Sequence, residues 1–262
     1  MKYAIYQMEV VPADPEENRR LVKEWAEEAV KQEQPDTLVL PEMWNTGYAL
    51  DKLEETADRN EEPSGSLLSE LAKQHQVNII GGSIGNKKEG GFYNTSLVFN
   101  RKGERVYQYD KIHLVPMLDE PEFLAGGREK ASTFELDGIK MGLIICYDLR
   151  FPELARKLAL MDAQVLHIVA EWPSARTDHW KYLQLARAIE NQFFVVSSNV
   201  VGSHKGTDFA GNSMIIDPWG KELAVGSDSL TETVTAVLDF SAVEKIRKDV
   251  PVFDSRVPEM YD

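Results

Sequence analysis

The strongest constraint on the fold is that some strand-length stretches of this chain are apolar without alternation. Thr37-Leu-Val-Leu-Pro41 offers no polar face, and Val77–Ile84 reads as a second buried strand. A strand without a polar face must be covered on both sides. Amphipathic segments can supply part of that cover. Glu16–Gln32 reads as a helix with Leu21, Trp25 and Ala29 on one face, opened by Asp14 as cap and Pro15 in the first turn. Further helices are predicted near Ser66–His75, Pro152–Met161 and Arg176–Asn191. Tyr3–Met8, Val165–Ala170, Phe193–Ser198, Ser213–Asp217, Glu222–Val225 and Thr233–Leu238 read as strands. Two hairpins are expected: Tyr93–Asn100 with Glu104–Tyr109 across Arg101-Lys-Gly103, and Thr133–Leu136 with Lys140–Cys146 across Asp137-Gly138. Lys111–Arg128, rich in proline, glycine and charge, reads as an ordered loop. No linker and no fixed-period repeat interrupts this pattern. The expectation is one domain over residues 1–262, an α/β fold with a mixed sheet or two packed sheets and helices outside.

Charge narrows the classes of partner. The 262 residues hold 29 Lys plus Arg against 43 Asp plus Glu, a net −14. No general polyanion-binding surface is expected, which argues against nucleic acid as a partner. The first residues show no apolar stretch of signal-peptide length, and no run approaches the roughly 20 apolar residues that span a bilayer. A cytoplasmic protein outside the membrane is therefore expected. The single cysteine, Cys146, forbids an intrachain disulfide and a cysteine-based zinc cluster. No pair among the five histidines has His-x-x-x-His spacing, so no metal site is expected.

Cys146 closes an apolar strand and precedes Tyr147-Asp-Leu-Arg-Phe-Pro152, where a helix should begin. A strand-to-helix turn presents a side chain at the sheet edge and aims backbone N–H groups at whatever that side chain attacks. Position alone leaves two readings, a buried small hydrophobe and a nucleophile. A nucleophile needs help, because an ordinary thiol, with a pKa of roughly 8.5, is only a few per cent thiolate at neutral pH. Among His75, His113, His167, His179 and His204, the surroundings favour His113 and His179, and a papain-like Cys–His pair stays open. The ionic alternatives are Glu42, after an apolar strand and Pro41, and Lys111, at the end of another strand. Each alone fits a solvated strand end. Together Glu42, Lys111 and Cys146 can converge on one sheet edge, as a catalytic constellation requires.

Three separated motifs carry these residues: Leu38-Val-Leu-Pro-Glu42, Tyr109-Asp-Lys111-Ile-His-Leu114 and Ile145-Cys146-Tyr-Asp-Leu-Arg150-Phe-Pro-Glu153. In this order and at these separations the chain resembles the nitrilase superfamily of carbon–nitrogen hydrolases over its full length. The resemblance implies a four-layer αββα sandwich, a Glu–Lys–Cys triad, no cofactor, and homodimers or larger assemblies of paired sandwiches. Pro41-Glu-Met-Trp44-Asn-Thr-Gly-Tyr48, Trp172-Pro-Ser-Ala-Arg176, His179-Trp180 and Ala186–Asn191 look most like the ω-amidase branch. That branch hydrolyses the terminal amide of 2-oxo dicarboxylate monoamides such as 2-oxoglutaramate and 2-oxosuccinamate. A second carboxylate recurs in the family on the loop after the lysine; Glu120 occupies that stretch, with Glu122 two residues away.

The resemblance also implies roles. Glu42 takes the thiol proton, Cys146 attacks the amide carbon, and Lys111 with the Tyr147 backbone N–H stabilises the oxyanion. Glu42 passes the proton to departing ammonia, then activates water, with Glu120 orienting it, to hydrolyse the thioester. A substrate carboxylate needs a local cation. Arg176 is the candidate, since a guanidinium holds a carboxylate bidentately, although it could instead pair with Asp178 or Glu153. Arg150 reads as a brace for the turn after Cys146, and Arg187 with Glu190 as a brace of a helix against the sheet. Tyr48, Trp172 and Phe123 are candidate pocket walls. Residues 249–262 have little helix or strand character and fit either a surface wrap or, as the resemblance implies, a tail crossing to a partner subunit. The same triad would serve a nitrilase, an N-carbamoyl hydrolase or a deaminated-glutathione amidase, and a silent scaffold that binds a ligand or partner protein is the non-enzymatic alternative.

Overall fold

The computed structural model describes residues 1–261; Asp262, the last position of the expected tail, lies outside them. In chain order the first half holds β1 (Lys2–Gln7), α1 (Pro15–Glu33), β2 (Thr37–Val39), α2 (Leu53–Thr56), β3 (Asp58–Arg59), α3 (Ser64–His75), β4 (Asn78–Lys88), β5 (Gly91–Phe99) and β6 (Arg105–Asp110). There follow α4 (Glu120–Phe123), β7 (Phe134–Leu136), β8 (Ile139–Ile145), α5 (Pro152–Leu160), β9 (Val165–Ala170) and α6 (Thr177–Asn191). The remainder is β10 (Phe194–Asn199), β11 (Ser203–His204), β12 (Thr207–Asp208), β13 (Met214–Ile216), β14 (Glu222–Val225), β15 (Glu232–Val237) and α7 (Ser241–Asp249).

The strands form two mixed sheets, ordered β15-β1-β2-β4-β5-β6 with β3 beside β4, and β14-β13-β10-β9-β8-β7; β11 and β12 make a small separate hairpin. β1 shows why its sequence lacks a polar face. Tyr3 and Ile5 enter the core shared with the second sheet, while Ala4 and Tyr6 enter the core beneath α1 and α3. On the outer face of the second sheet, Leu158 of α5 and Trp180 of α6 join the same buried cluster. The layers are therefore helix, sheet, sheet, helix, as expected.

Besides the short elements α2, β3, α4, β11 and β12, which the sequence pattern did not predict, two longer features differ from the sequence expectation. β4 runs on to Lys88 and turns directly into β5. α7 went unpredicted because only Val243 and Ile246 of its nine residues are buried, too few to show a period. The described part of the tail lies on its own chain, with the Phe253 ring between the guanidinium carbons of Arg156 (5.4 Å) and Arg247 (5.0 Å). Gln192 Nε2 donates to Val250 O at 2.7 Å.

One irregularity places the end of β2. The β4–β5 register shifts between Ile80 and Ser83, and Gly82 there has φ +60°. An added Cβ would lie 2.0 Å from Pro41 O. Ser83 N donates to that same oxygen at 3.0 Å, and Trp44 Nε1 donates to Gly81 O at 2.8 Å. The bulge thus clamps Pro41–Trp44, with Glu42 in the middle. Gly82→Ala should cost about 1–3 kcal/mol of stability and lower turnover beyond what lost stability explains, measured by urea unfolding beside kcat of the folded fraction.

Candidate active site

β2, β4 and β6 run in one direction, because β2 and β4 are parallel and β5 is antiparallel to both of its neighbours. The chain therefore leaves Glu42 and Lys111 at one end of the first sheet. The parallel strands β8 and β9 deliver Cys146 and Glu171 from the second. The residues converge from two facing sheets rather than on one sheet edge, joined where Glu171 N donates to Glu42 Oε2 at 2.7 Å.

At the centre is the Lys111 ammonium, 1% exposed. It donates to Glu42 Oε1 at 2.8 Å, to Glu120 Oε1 at 2.7 Å and to the Tyr48 hydroxyl at 3.3 Å. Asn94 Nδ2 donates to Glu42 Oε1 at 2.8 Å, and Val115 N to Glu120 Oε2 at 2.7 Å. The Tyr48 hydroxyl donates to Glu120 Oε1. Burial opposes the lysine charge, but Glu120 and Glu42 outweigh it and hold the Lys111 pKa well above the ordinary value. Glu120 is the carboxylate at the lysine; Glu122 is exposed.

Cys146 opens a one-turn 3₁₀ segment, Cys146–Arg150, at φ +44°. Burial, then the negative charge of Glu42, push its thiol well above the ordinary value, against the pull of Lys111. The balance of these effects favours the protonated thiol over the thiolate. Tyr147 lies in the first turn, where backbone N–H groups have no acceptor within the helix.

The turn is fixed by a residue the sequence did not single out. Buried Asp148 accepts from Tyr109 Oη at 2.8 Å and Ile145 N at 3.2 Å through Oδ2. Its Oδ1 accepts from His113 N at 3.0 Å and lies 2.7 Å from His113 Nδ1. Tyr109 and His113 flank Lys111 by two residues on either side, so one carboxylate ties the lysine segment to the cysteine turn. His113 is committed to this contact and to stacking on Phe151 (centroids 3.5 Å apart), and not to the thiol. Arg187 also serves the turn: besides its ion pair with Glu190, NH2 donates to Leu149 O at 2.9 Å.

The pocket over Cys146 is lined by Tyr147, Arg150, Trp172 and Arg176, with Met117 and Leu118. Among the described residues Arg176 pairs with neither Asp178 nor Glu153, and Arg150 also has no carboxylate partner. Instead the Arg150 guanidinium lies 4.7 Å from the Trp172 ring centroid and donates toward His179 Nδ1 at 3.2 Å. It is a pocket residue and not the brace expected. Tyr48 belongs to the charged cluster and lines a neighbouring cleft with His204 and Lys205. Phe123 is 38% exposed on α4 and lines neither pocket. Asn94, Asp148 and Glu171 were missed because nothing local to them marks chemistry; each matters through residues distant in sequence.

A helix–sheet–sheet–helix sandwich with a carboxylate, an ammonium and a thiol gathered at one end has the architecture of the nitrilase superfamily. The carbon–nitrogen hydrolase family model matches residues 2–248, and the chain belongs to that family. It is 48% identical over 227 residues to the "Hydrolase in agr operon" of Staphylococcus lugdunensis, covering 86% of this chain and 97% of the relative. It is 42% identical over 263 residues to the 2-oxoglutaramate amidase of Bacillus subtilis (strain 168), covering both chains in full. Among solved structures, Saccharomyces cerevisiae Nit3, a member of branch 10 of the nitrilase superfamily, superposes with a TM-score of 0.89 at 30% identity, covering 96% of this chain and 94% of the other.

Two outcomes follow from the geometry. The far-ultraviolet thiolate absorption of wild type minus Cys146→Ser should show no step below about pH 9, whereas a step near neutrality would mean a preformed thiolate. Asp148→Asn should lose about 1–3 kcal/mol of stability and lower kcat at least tenfold with KM little changed, read by denaturant unfolding and steady-state kinetics.

Proposed function

We propose that this chain is a cysteine amidohydrolase that cleaves the terminal amide of a small carboxylate-bearing substrate, of the 2-oxoglutaramate or 2-oxosuccinamate type, to the acid and ammonia. The observation that carries the substrate class is the pair Arg150 and Arg176, two guanidiniums without carboxylate partners among the described residues, flanking the pocket over a thiol. Each can take a carboxylate through charge-assisted hydrogen bonds. The full-length likeness to a 2-oxoglutaramate amidase supports the same reading.

In this mechanism Glu42 accepts the thiol proton as Cys146 Sγ bonds to the amide carbon. The oxyanion forms against the Lys111 ammonium and the Tyr147 N–H. Glu42 returns the proton to the amide nitrogen, the C–N bond breaks, ammonia leaves, and a thioester remains on Cys146. Water, oriented by Glu120, then loses a proton to Glu42 and attacks the thioester carbon; the C–S bond breaks, Glu42 returns the proton to the departing Cys146 sulfur, and the acid is released. Trp172 walls the substrate's carbon chain.

Self-association and a cytoplasmic setting belong to the same proposal. Tyr182 and Ile189 on α6 and Trp219 are 62%, 53% and 58% exposed, an apolar face that a second copy would cover, and a reduced cysteine nucleophile suits a reducing compartment.

Ammonia release should be measured from 2-oxo monoamides, simple ω-amides, N-carbamoyl compounds, deaminated glutathione and nitriles. Dicarboxylate monoamides should be preferred, and Cys146→Ala should abolish turnover. Arg150→Ala and Arg176→Ala should each raise KM about tenfold to a hundredfold, the equivalent of about 1.5–3 kcal/mol for a hydrogen bond to a charged group. No turnover of any amide, or full turnover by Cys146→Ala, would sink the proposal.

A further inference from the structure

Glu171 is a buried acid that the mechanism above does not use. It is 1% exposed, follows β9 at the end where Glu42, Lys111 and Cys146 meet, and its backbone N–H holds Glu42 Oε2. Of its carboxyl oxygens, Oε2 is buried with no hydrogen-bond partner among the described residues. Asn94, whose amide N–H holds the other oxygen of Glu42, likewise has a buried Oδ1 with no donor. Glu42 and Glu120, in contrast, are surrounded by donors, as ionised carboxylates should be.

An ionised carboxylate without donors in such a place would cost several kcal/mol. The charged groups acting on it come from every element that meets there: Glu42 after β2, Lys111 after β6 and Glu120 on α4. Two of the three repel a negative charge. Burial first, then Glu42, raise the Glu171 pKa well above the ordinary carboxylate value, with Lys111 opposing and Glu120 adding to the rise.

We propose that Glu171 is a positioning residue that sits in the resting site as the neutral carboxylic acid and so leaves the negative charge on Glu42, where the base must be. With Glu171 neutral, two carboxylates face one ammonium. A third charge would be relieved most easily by protonating one of the others, and a protonated Glu42 accepts nothing from Cys146. The inference rests on the proposed role of Glu42 for its functional half; the protonation itself is readable without turnover.

Three measurements test it. A carboxyl more basic in the folded than in the unfolded chain makes the fold lose stability as pH rises above the ordinary carboxylate pKa. Glu171→Gln has no such proton to lose, so its Tm advantage over wild type should be absent near pH 4 and grow between about pH 5 and 8. A wild-type-to-variant difference in Tm that stays flat between about pH 4 and 8 would overturn the proposal. If the variant does not fold, glutamate-carboxyl ¹³C resonances of the unmodified protein decide: one should keep its protonated position at about pH 7, and none doing so would overturn it. In kinetics, the alkaline fall of kcat should move to higher pH in Glu171→Gln. Coincident profiles, or a loss of about a hundredfold at neutral pH with Tm retained, would overturn it, the latter by showing that the ionised carboxylate takes part. Absence of amidase turnover would defeat the function proposed above while leaving the melting and resonance tests of Glu171 in force.

Discussion

An ammonium with almost no exposure, held between two carboxylates, is the contact on which the rest of this structure depends. Removing an ammonium from water costs several kcal/mol even after relaxation, and Lys111 stays charged only because Glu42 and Glu120 stand 2.8 and 2.7 Å away. Those carboxylates are themselves buried and draw further donors from Asn94, Val115 N–H and Glu171 N–H. Five segments of chain must therefore arrive together. The two-sheet sandwich is what makes that meeting possible, since the parallel strands of both sheets end at the same face.

Net charge and local charge carry different information here. At −14 the chain as a whole repels anions, yet the pocket at the thiol presents two guanidiniums without carboxylate partners among the described residues. Exposed charges farther away than about 8–10 Å are largely screened at physiological ionic strength, so in the proposed reaction the nearby pair would outweigh the global charge for a small acid. The global acidity and a carboxylate-bearing substrate are compatible for that reason.

Much of this was legible in the sequence, and the divide is physical. Strands buried on both faces show themselves in an unbroken apolar run, as at Thr37–Pro41, and a charged residue directly after such a run, as with Glu42, is conspicuous. The runs and the helices between them left open a mixed sheet or two packed sheets, and the four-layer order came from the resemblance that the three motifs carry. Asp148 was illegible because three of its four contacts come from Tyr109 and His113, far away in sequence, and Glu171 because its importance lies in what does not surround it. Arg150 was misjudged from nearness in sequence: two residues past Asp148, it points over Trp172 and leaves the turn to Asp148 and Arg187. Phe123 shows the converse error, an aromatic in a promising loop that faces solvent.

The backbone at Cys146 has a last consequence. Its φ of +44° lies in the left-handed region that glycine fits without penalty and a side-chain-bearing residue occupies at a cost of about 1–3 kcal/mol. Replacing Cys146 by glycine would relieve that strain but empty a position packed in the buried core, so the turn holds its side chain against a backbone preference and with a packing contribution at once.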